Sequence, residues 1–227
     1  FDNRGLASAA TYSSRGDYLY VAMPGNRTVE RLDVLTEVLS GSVADVGFAS
    51  DGVALSDDDA TLYVNVPLSR ELVVYDVGAF DTTVAPLSRV PLVKTEPLSS
   101  VVLLGKKLFN DAADPRLSKD GYIACAHCHL DGDSDRRVWD FTGRGEGLRN
   151  TTSLLGRAGT GDGPIHWSAN FDEIQDFEHD IRSAFEGKGL MINGDFAVGT
   201  RSDKLGDPKA GVSADLDALA AYVASLV

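Results

Sequence analysis

The chain of 227 residues has only two cysteines, two methionines, two tryptophans and four histidines, and positive charge is scarce, with 21 Lys and Arg against 34 Asp and Glu. Each shortage excludes something. Two thiols without a second Cys or His pair at regular spacing leave a four-ligand zinc site incomplete, because His166 and His179 stand 13 residues apart and unpaired. The acid surplus, a net charge of −13 at neutral pH, repels phosphate backbones and anionic lipid. Nucleic acid is therefore a poor partner, and a protein with a basic docking face a better one. Both parts share the acidity, with 14 acids and 7 bases in residues 1–96 and 20 and 14 in the remainder. No apolar run approaches the length of a membrane span. An initiator Met and a signal-peptide pattern are also missing before Phe1, so the expectation is a segment of a longer chain.

What is present begins with a repeat. "LYVAMPGNRTVERLDV" at 19–34 lies over "LYVNVPLSRELVVYDV" at 62–77 without a gap, an offset of 43 residues. Several short β-patterned runs within a period of 40 to 45 residues is the spacing of four-stranded propeller blades. Leu19–Met23 and Leu62–Val66 predict one strand of each repeat, Thr28–Val34 and Glu71–Val77 the next, with "PGN" and "PLS" as the turns between them. The polar turns "SSRGD" and "SDDDA" precede each pair. Over residues 6–80 these runs resemble the YVTN-type propeller repeats of bacterial surface proteins. Two blades do not close a ring, so further blades are expected outside this chain. The repeat segment, 1–96, reads as a docking platform or as plain scaffold.

From Pro97 the spacing turns helical. Val101, Val102, Leu104, Leu108 and Phe109 predict an apolar stripe on a helix over 97–110. "GVSADLDALAAYVASLV" predicts a last helix with Ser213 as N-cap, Asp215 and Asp217 in its first turn, and a buried face of Leu216, Leu219, Ala220, Tyr222, Val223 and Leu226. A third helix is expected from about Phe171 to Phe185. Gly105 inside the first helix costs stability unless it permits a close backbone crossing, which is predicted with the last helix near Tyr222.

Both cysteines fall in "IACAHCH", where Cys125, Cys128 and His129 have C-x-x-C-H spacing. Two thiols on one turn can add across the two vinyl groups of a haem, and the next residue then sits under the iron as its axial nitrogen ligand. A thioredoxin-like dithiol wants a βαβ context, which the surrounding sequence lacks. The pattern predicts one covalent c-type haem, and with it a site in the periplasm or at the cell surface, where such attachment takes place. His127 is expected to be an exposed spacer.

The order of "GKKLF", "DPRLSKDGYIACAHCH", "RGEGLRNTTSLLGR" and "GPIHWSANFDEIQDFEHDI" resembles the haem domains of bacterial di-haem cytochrome c peroxidases and their relatives, over residues 97–227. The resemblance implies a mainly α-helical cytochrome c fold for 97–227, following a partial β-propeller at 1–96, so a β plus α chain of two domains. It implies that "RNTTSL" lines the haem pocket, that "HW" at 166–167 stands for the family's aromatic–Trp pair, and that Gln175 matches a distal-side glutamine. Two features depart from the family. Leu190 precedes Met191 where the peroxidases have a catalytic Glu, and no second C-x-x-C-H follows. Peroxide chemistry needs an acid–base group over the iron and an electron-supplying partner haem, so both departures argue against it.

Met191, 62 residues after His129, is the candidate sixth ligand, with His166 as its rival and Met23 a remote third. A buried filler is the ordinary use of Met. Arg149 is the candidate partner of the haem propionates, with Arg136, Arg137, Arg144 and Arg157 read as surface residues. Trp167 is expected to contact the haem and His179 to lie on the surface. "DGDSD" at 131–135 reads as a solvated acidic loop, lacking the full pattern of a calcium loop. The sequence thus predicts an extracytoplasmic electron-transfer module, with a redox partner protein. The alternatives are part of a di-haem peroxidase-like enzyme whose second haem lies beyond the chain, or a propeller-borne binding function.

Overall fold

The computed structural model describes residues 5–80 and 84–227, and the side chain of Arg144 lies outside that description, as does Phe1. The chain divides into two compact units, Phe1–Pro97 and Leu98–Val227.

The first unit consists of two antiparallel four-stranded meanders. One runs β1 (Ala9–Tyr12), β2 (Tyr18–Met23), β3 (Thr28–Asp33), β4 (Val38–Val43), and the other β5 (Gly52–Leu55), β6 (Thr61–Val66), β7 (Glu71–Asp76), β8 (Pro86–Pro91). The sequence repeat is a structural repeat down to its irregularities. The register slips between Arg31 and Leu32 in the first sheet and between Val74 and Tyr75 in the second, the same place after the 43-residue offset. Both short turns end on an arginine in the left-handed region, Arg27 at φ 57° and Arg70 at φ 61°, whose N–H closes the turn on the carbonyl of Pro24 or Pro67. The polar turns meet, as Ser14 donates its N–H and its hydroxyl to the carboxylate of Asp59.

The two-residue period of a strand explains which residues are buried. Leu62, Val64 and Val66 of β6 alternate with exposed Tyr63, and they join Tyr20, Val29, Val43, Val73 and Tyr75 in one core shared by both sheets. Among the described residues no sheet closes on itself, and β8 is exposed along its length.

The second unit begins with α1 (Ser100–Asn110), whose first turn is capped by the Ser99 hydroxyl accepting from Val102 N–H. Then come the single turn α2 (Cys125–Cys128), a two-stranded ribbon of β9 (Val138–Phe141) and β10 (Gly147–Asn150), α3 (Glu178–Ser183), α4 (Asn193–Phe196) and α5 (Ala214–Ala224). The unit is less helical than expected. Two helices have eleven residues, the other three have four to six, and turns make the connections. The expected helix from Phe171 to Phe185 is a 3-10 turn, Ile174–Phe177, followed by α3. It starts late because Phe171 bridges to Ile165 in extended conformation, and the N–H groups of Asp172 and Glu173 are held by the Asp176 carboxylate.

Ser213 caps α5 as predicted, accepting from Leu216 N–H and donating to the carbonyl of Leu190. Leu216, Leu219, Tyr222 and Val223 are buried, while Ala220 and Leu226 are only partly so. α1 crosses α5 at Gly105, where an added Cβ would collide with the Ala218 carbonyl and come within 2.8 Å of Tyr222 Cβ. That crossing narrows the buried stripe of α1 to Gly105, Leu108 and Phe109; Val101 and Leu104 remain 50% and 39% exposed, contrary to the sequence pattern.

Gly105→Ala should lower stability by about 2 kcal/mol or more, because neither backbone nor Tyr222 can yield without separating the helices. Urea unfolding followed by circular dichroism checks it; a loss under about 0.5 kcal/mol would mean that the crossing is not close-packed.

Candidate functional site

The site is built on α2. Its turn is closed by His129 N–H donating to Cys125 O at 2.9 Å, so both thiols and the imidazole issue from one turn of backbone. His127 is not the free spacer expected. Its Nδ1 accepts the Ala124 N–H at 2.9 Å and so holds the start of the turn. Both cysteines are free thiols, half-buried, and burial pushes Cys125 up to about 12 and Cys128 up to about 11, the latter helped by the nearby Asp135 charge.

His129 lies beside Phe109, ring centroids 6.4 Å apart, and burial lowers its pKa against the opposing hydrogen bonds to the backbone of Asp133 and Thr152. The ring is therefore neutral at pH 7, the form in which imidazole ligates a metal. Nδ1 faces the Asp133 carbonyl at 3.3 Å. A proton held there leaves Nε2 as the nitrogen with a lone pair to offer. "DGDSD" is folded onto the site, because Asp135 donates its N–H to Cys128 O and its carboxylate accepts from Arg137 N–H and Trp139 Nε1.

Met191 is buried in the same apolar cluster as Leu108, Phe109, Leu216 and Leu219, against which Cys125 and Ala126 also pack. Its backbone is fixed from both sides. The fully buried Glu178 carboxylate accepts the N–H groups of Leu190 and Met191 at 2.9 and 3.1 Å, and Arg182 donates to the Met191 carbonyl while pairing with Glu178 at 2.7 Å. Sequence reasoning missed this pair. Glu178 and Arg182 at i and i+4 inside the acidic run were the available signal.

The remaining sequence candidates are distributed around this centre. His166 is buried, its Nδ1 2.9 Å from Asn170 Oδ1 and its Nε2 3.7 Å from Asp180, with the ring stacked on Phe171 at 4.9 Å. Trp167 packs on His166 and Phe141 and donates Nε1–H to Asn150 O at 2.9 Å. Arg149 pairs across the ribbon with Trp139, donates to Leu148 O, and stands 3.7 Å from Glu146. Gln175 donates to Asp217 at 2.9 Å, tying the 3-10 turn to α5. His179 is not a surface residue. Its ring lies between Phe171 and Phe196, and its Nε2 is buried without a hydrogen-bond partner among the described residues.

Residues 99–183 match the family model of di-haem cytochrome c peroxidase. The matched segment, less than half of the chain, runs from the cap of α1 through Cys125, Cys128 and His129 to the end of α3; Met191 and α5 lie past it. No curated protein matches the chain. Solved structures similar to parts of it include the hydrazine synthase of Kuenenia stuttgartiensis, at 23% identity over 40% of this chain and 24% of that one with a TM-score of 0.35. A putative 6-phosphogluconolactonase from Bacteroides uniformis is 21% identical over 39% and 27%, TM-score 0.32. The Cps50 (Swd1) β-propeller domain of Myceliophteria thermophila is 16% identical over 38% and 29%, TM-score 0.34. The chain spans about a quarter of the length of these structures.

A thiol that stays protonated in the fold at a pH where it ionises in the unfolded chain makes the fold lose stability as pH rises above about 8.5. Haem-free protein should therefore show a falling urea midpoint from pH 8 to 10, absent from Cys125→Ser/Cys128→Ser. Iodoacetamide should alkylate the folded thiols at pH 8 about a hundredfold more slowly than a free cysteine. Equal rates would refute the burial that raises both groups.

Proposed function

We propose that residues 98–227 form a c-type cytochrome module that carries one covalent haem for electron transfer outside the cytoplasm, with residues 5–97 supplying two blades of a propeller-like platform. The carrying observation is the orientation of His129. Its buried ring, with Nδ1 3.3 Å from the Asp133 carbonyl and the Thr152 backbone as a second hydrogen-bond partner, issues from the same turn as two free thiols. Cys125 packs on the apolar cluster of Phe109 and Met191, His129 lies beside Phe109, and with Cys128 these groups fit the demands of a haem held by two thioethers and an imidazole.

When bound, the haem supplies a one-electron iron couple. The chain's own residues supply the rest. Cys125 and Cys128 anchor the group, and the α1–α5 crossing holds Phe109 against His129. The backbone of Asp133 and Thr152 would orient the imidazole for ligation. Met191 is the second proposed ligand, whose soft thioether would raise the potential, and the Glu178–Arg182 pair positions the loop that carries it. His166 is the weaker candidate because both of its nitrogens already face partners, Asn170 and Asp180. Trp167 would contact the cofactor and Arg149 would pair with its propionates.

The family match favours one second reading, a di-haem peroxidase-like enzyme whose other haem lies outside this chain. Leu190 in place of the family's acid, and a buried Glu178 already bound to Arg182 and two backbone N–H groups, weigh against it.

Protein matured in a host with cytochrome c assembly machinery should keep its haem through acid–acetone extraction and show a low-spin spectrum with the far-red sulfur-to-iron band. Met191→Ala should abolish that band and lower the potential by on the order of 100 mV, whereas His166→Ala should leave both near the parent values. A high-spin spectrum in the parent protein would turn the reading to the enzyme, and absence of retained haem would remove both readings.

A further inference from the structure

Three carboxylates follow the motif in "DGDSD", and they are not equivalent. Asp131 is exposed, whereas Asp135 is half-buried and held on every side. Its carboxylate accepts from Arg137 N–H at 3.0 Å, from Trp139 Nε1–H at 2.9 Å and from the Thr151 hydroxyl. Its own N–H donates to Cys128 O at 2.9 Å, so the backbone fixes the residue to the motif while the side chain is aimed by its donors. Burial opposes ionisation, but the hydrogen bonds outweigh it and keep the carboxyl below its ordinary range. Asp135 is therefore charged at neutral pH.

The same contacts close around the imidazole. The Ser134 hydroxyl donates to Thr151 O at 2.9 Å, Thr151 is buried, and the next residue, Thr152, supplies a backbone hydrogen bond to His129. Residues 134–135 and 151–152 thus clasp each other beside the ring. The Asp135 charge is felt by both groups of the motif: after burial it is the largest influence on the Cys128 thiol, and it acts on His129 in the same sense. At Cys128 it exceeds the opposing charge of Arg137, an exposed residue whose guanidinium is screened by water.

We propose that Asp135, fixed beside Cys128 by Trp139, Thr151 and the Arg137 N–H, is the charge that governs the motif and holds down the reduction potential of the haem carried there. An oxidised iron–porphyrin bears one more positive charge than the reduced form, so a fixed negative charge beside it favours the oxidised state. Asp131 has the same charge, but its exposure to water leaves it screened. The carboxylate acts against the soft thioether proposed for Met191, and the potential is set between the two. The inference rests on the reading that the motif carries haem, and it adds which of the chain's own charges controls that group.

The test uses the whole chain, matured with haem and titrated spectroelectrochemically. Asp135→Asn keeps the shape and removes the charge. At a fixed applied potential it should shift the ferrous-to-ferric ratio about threefold to tenfold towards ferrous, which is about 28 to 59 mV at 59 mV per tenfold for one electron. Arg137→Gln keeps the backbone donor and removes the opposing charge, so it should shift the ratio towards ferric and by less. Asp131→Asn should change the ratio less than about twofold. Loosening of the fold does not move two neighbouring variants in opposite directions, and unchanged circular dichroism shows that each is folded. The haem-free chain gives a second reading: with Cys125→Ser as background, Asp135→Asn should speed iodoacetamide alkylation of Cys128 roughly threefold or more at pH 8, and Arg137→Gln should slow it. Retained haem with an unshifted potential in Asp135→Asn, a shift of the same sign in Arg137→Gln, or an equal shift in Asp131→Asn would each overturn the proposal. Where the parent protein itself retains no haem, it is the electron-transfer reading that has failed, and the alkylation rates still decide whether Asp135 governs the motif: opposite changes uphold it and equal rates overturn it.

Discussion

The crossing of α1 over α5 is the contact on which the second unit depends. At Gly105 the missing side chain lets one backbone approach the carbonyl of the other, and the rest of both helices is aligned by that approach. Phe109, one turn on, then meets Tyr222 edge-on at 5.1 Å and the His129 ring at 6.4 Å. The helix pair thereby sets the position of the motif. Ser213 extends the arrangement at the other end, since its hydroxyl both caps α5 and bonds the Leu190 carbonyl next to Met191.

A second layer of order comes from buried carboxylates rather than from helices. Glu178 holds the backbone of Leu190 and Met191. Asp176 holds the N–H groups of Asp172 and Glu173 and pairs with Lys209, whose side chain is fully buried. Gln175 and Asp217 join the 3-10 turn to α5. Each carboxylate stabilises a turn by accepting N–H groups that a longer helix would have satisfied internally. A unit with only two substantial helices keeps its loops ordered in this way. It also accounts for an acidic composition without a uniformly acidic surface, because several of the acids are inside.

The propeller-like repeat was legible in detail, because strand periodicity and turn chemistry are local: the predicted runs coincide with β2, β3, β6 and β7 to within a residue or so, and both turns fall where Pro and the following Arg stand. The capping of α5, the α1–α5 crossing and the single-turn geometry of Cys125 to His129 were legible for the same reason. The burial of Val101 and Leu104 was not, since an apolar stripe tells which residues could be buried and only a partner helix tells which are. His127 and His179 were misjudged as surface residues. One binds the Ala124 N–H and the other inserts between two phenylalanines.

By itself the sequence determined the 43-residue repeat, the two principal helices and the three groups that define the motif, all of them consequences of spacing along the chain. Tertiary structure alone decided that Nδ1 of His129 faces the Asp133 carbonyl and that Glu178 and Arg182 hold the Met191 loop. Those outcomes join residues that are distant in sequence or that differ only in which way a ring turns. Such relations depend on which backbone groups the packed fold leaves without internal partners, and no local pattern of side chains encodes that.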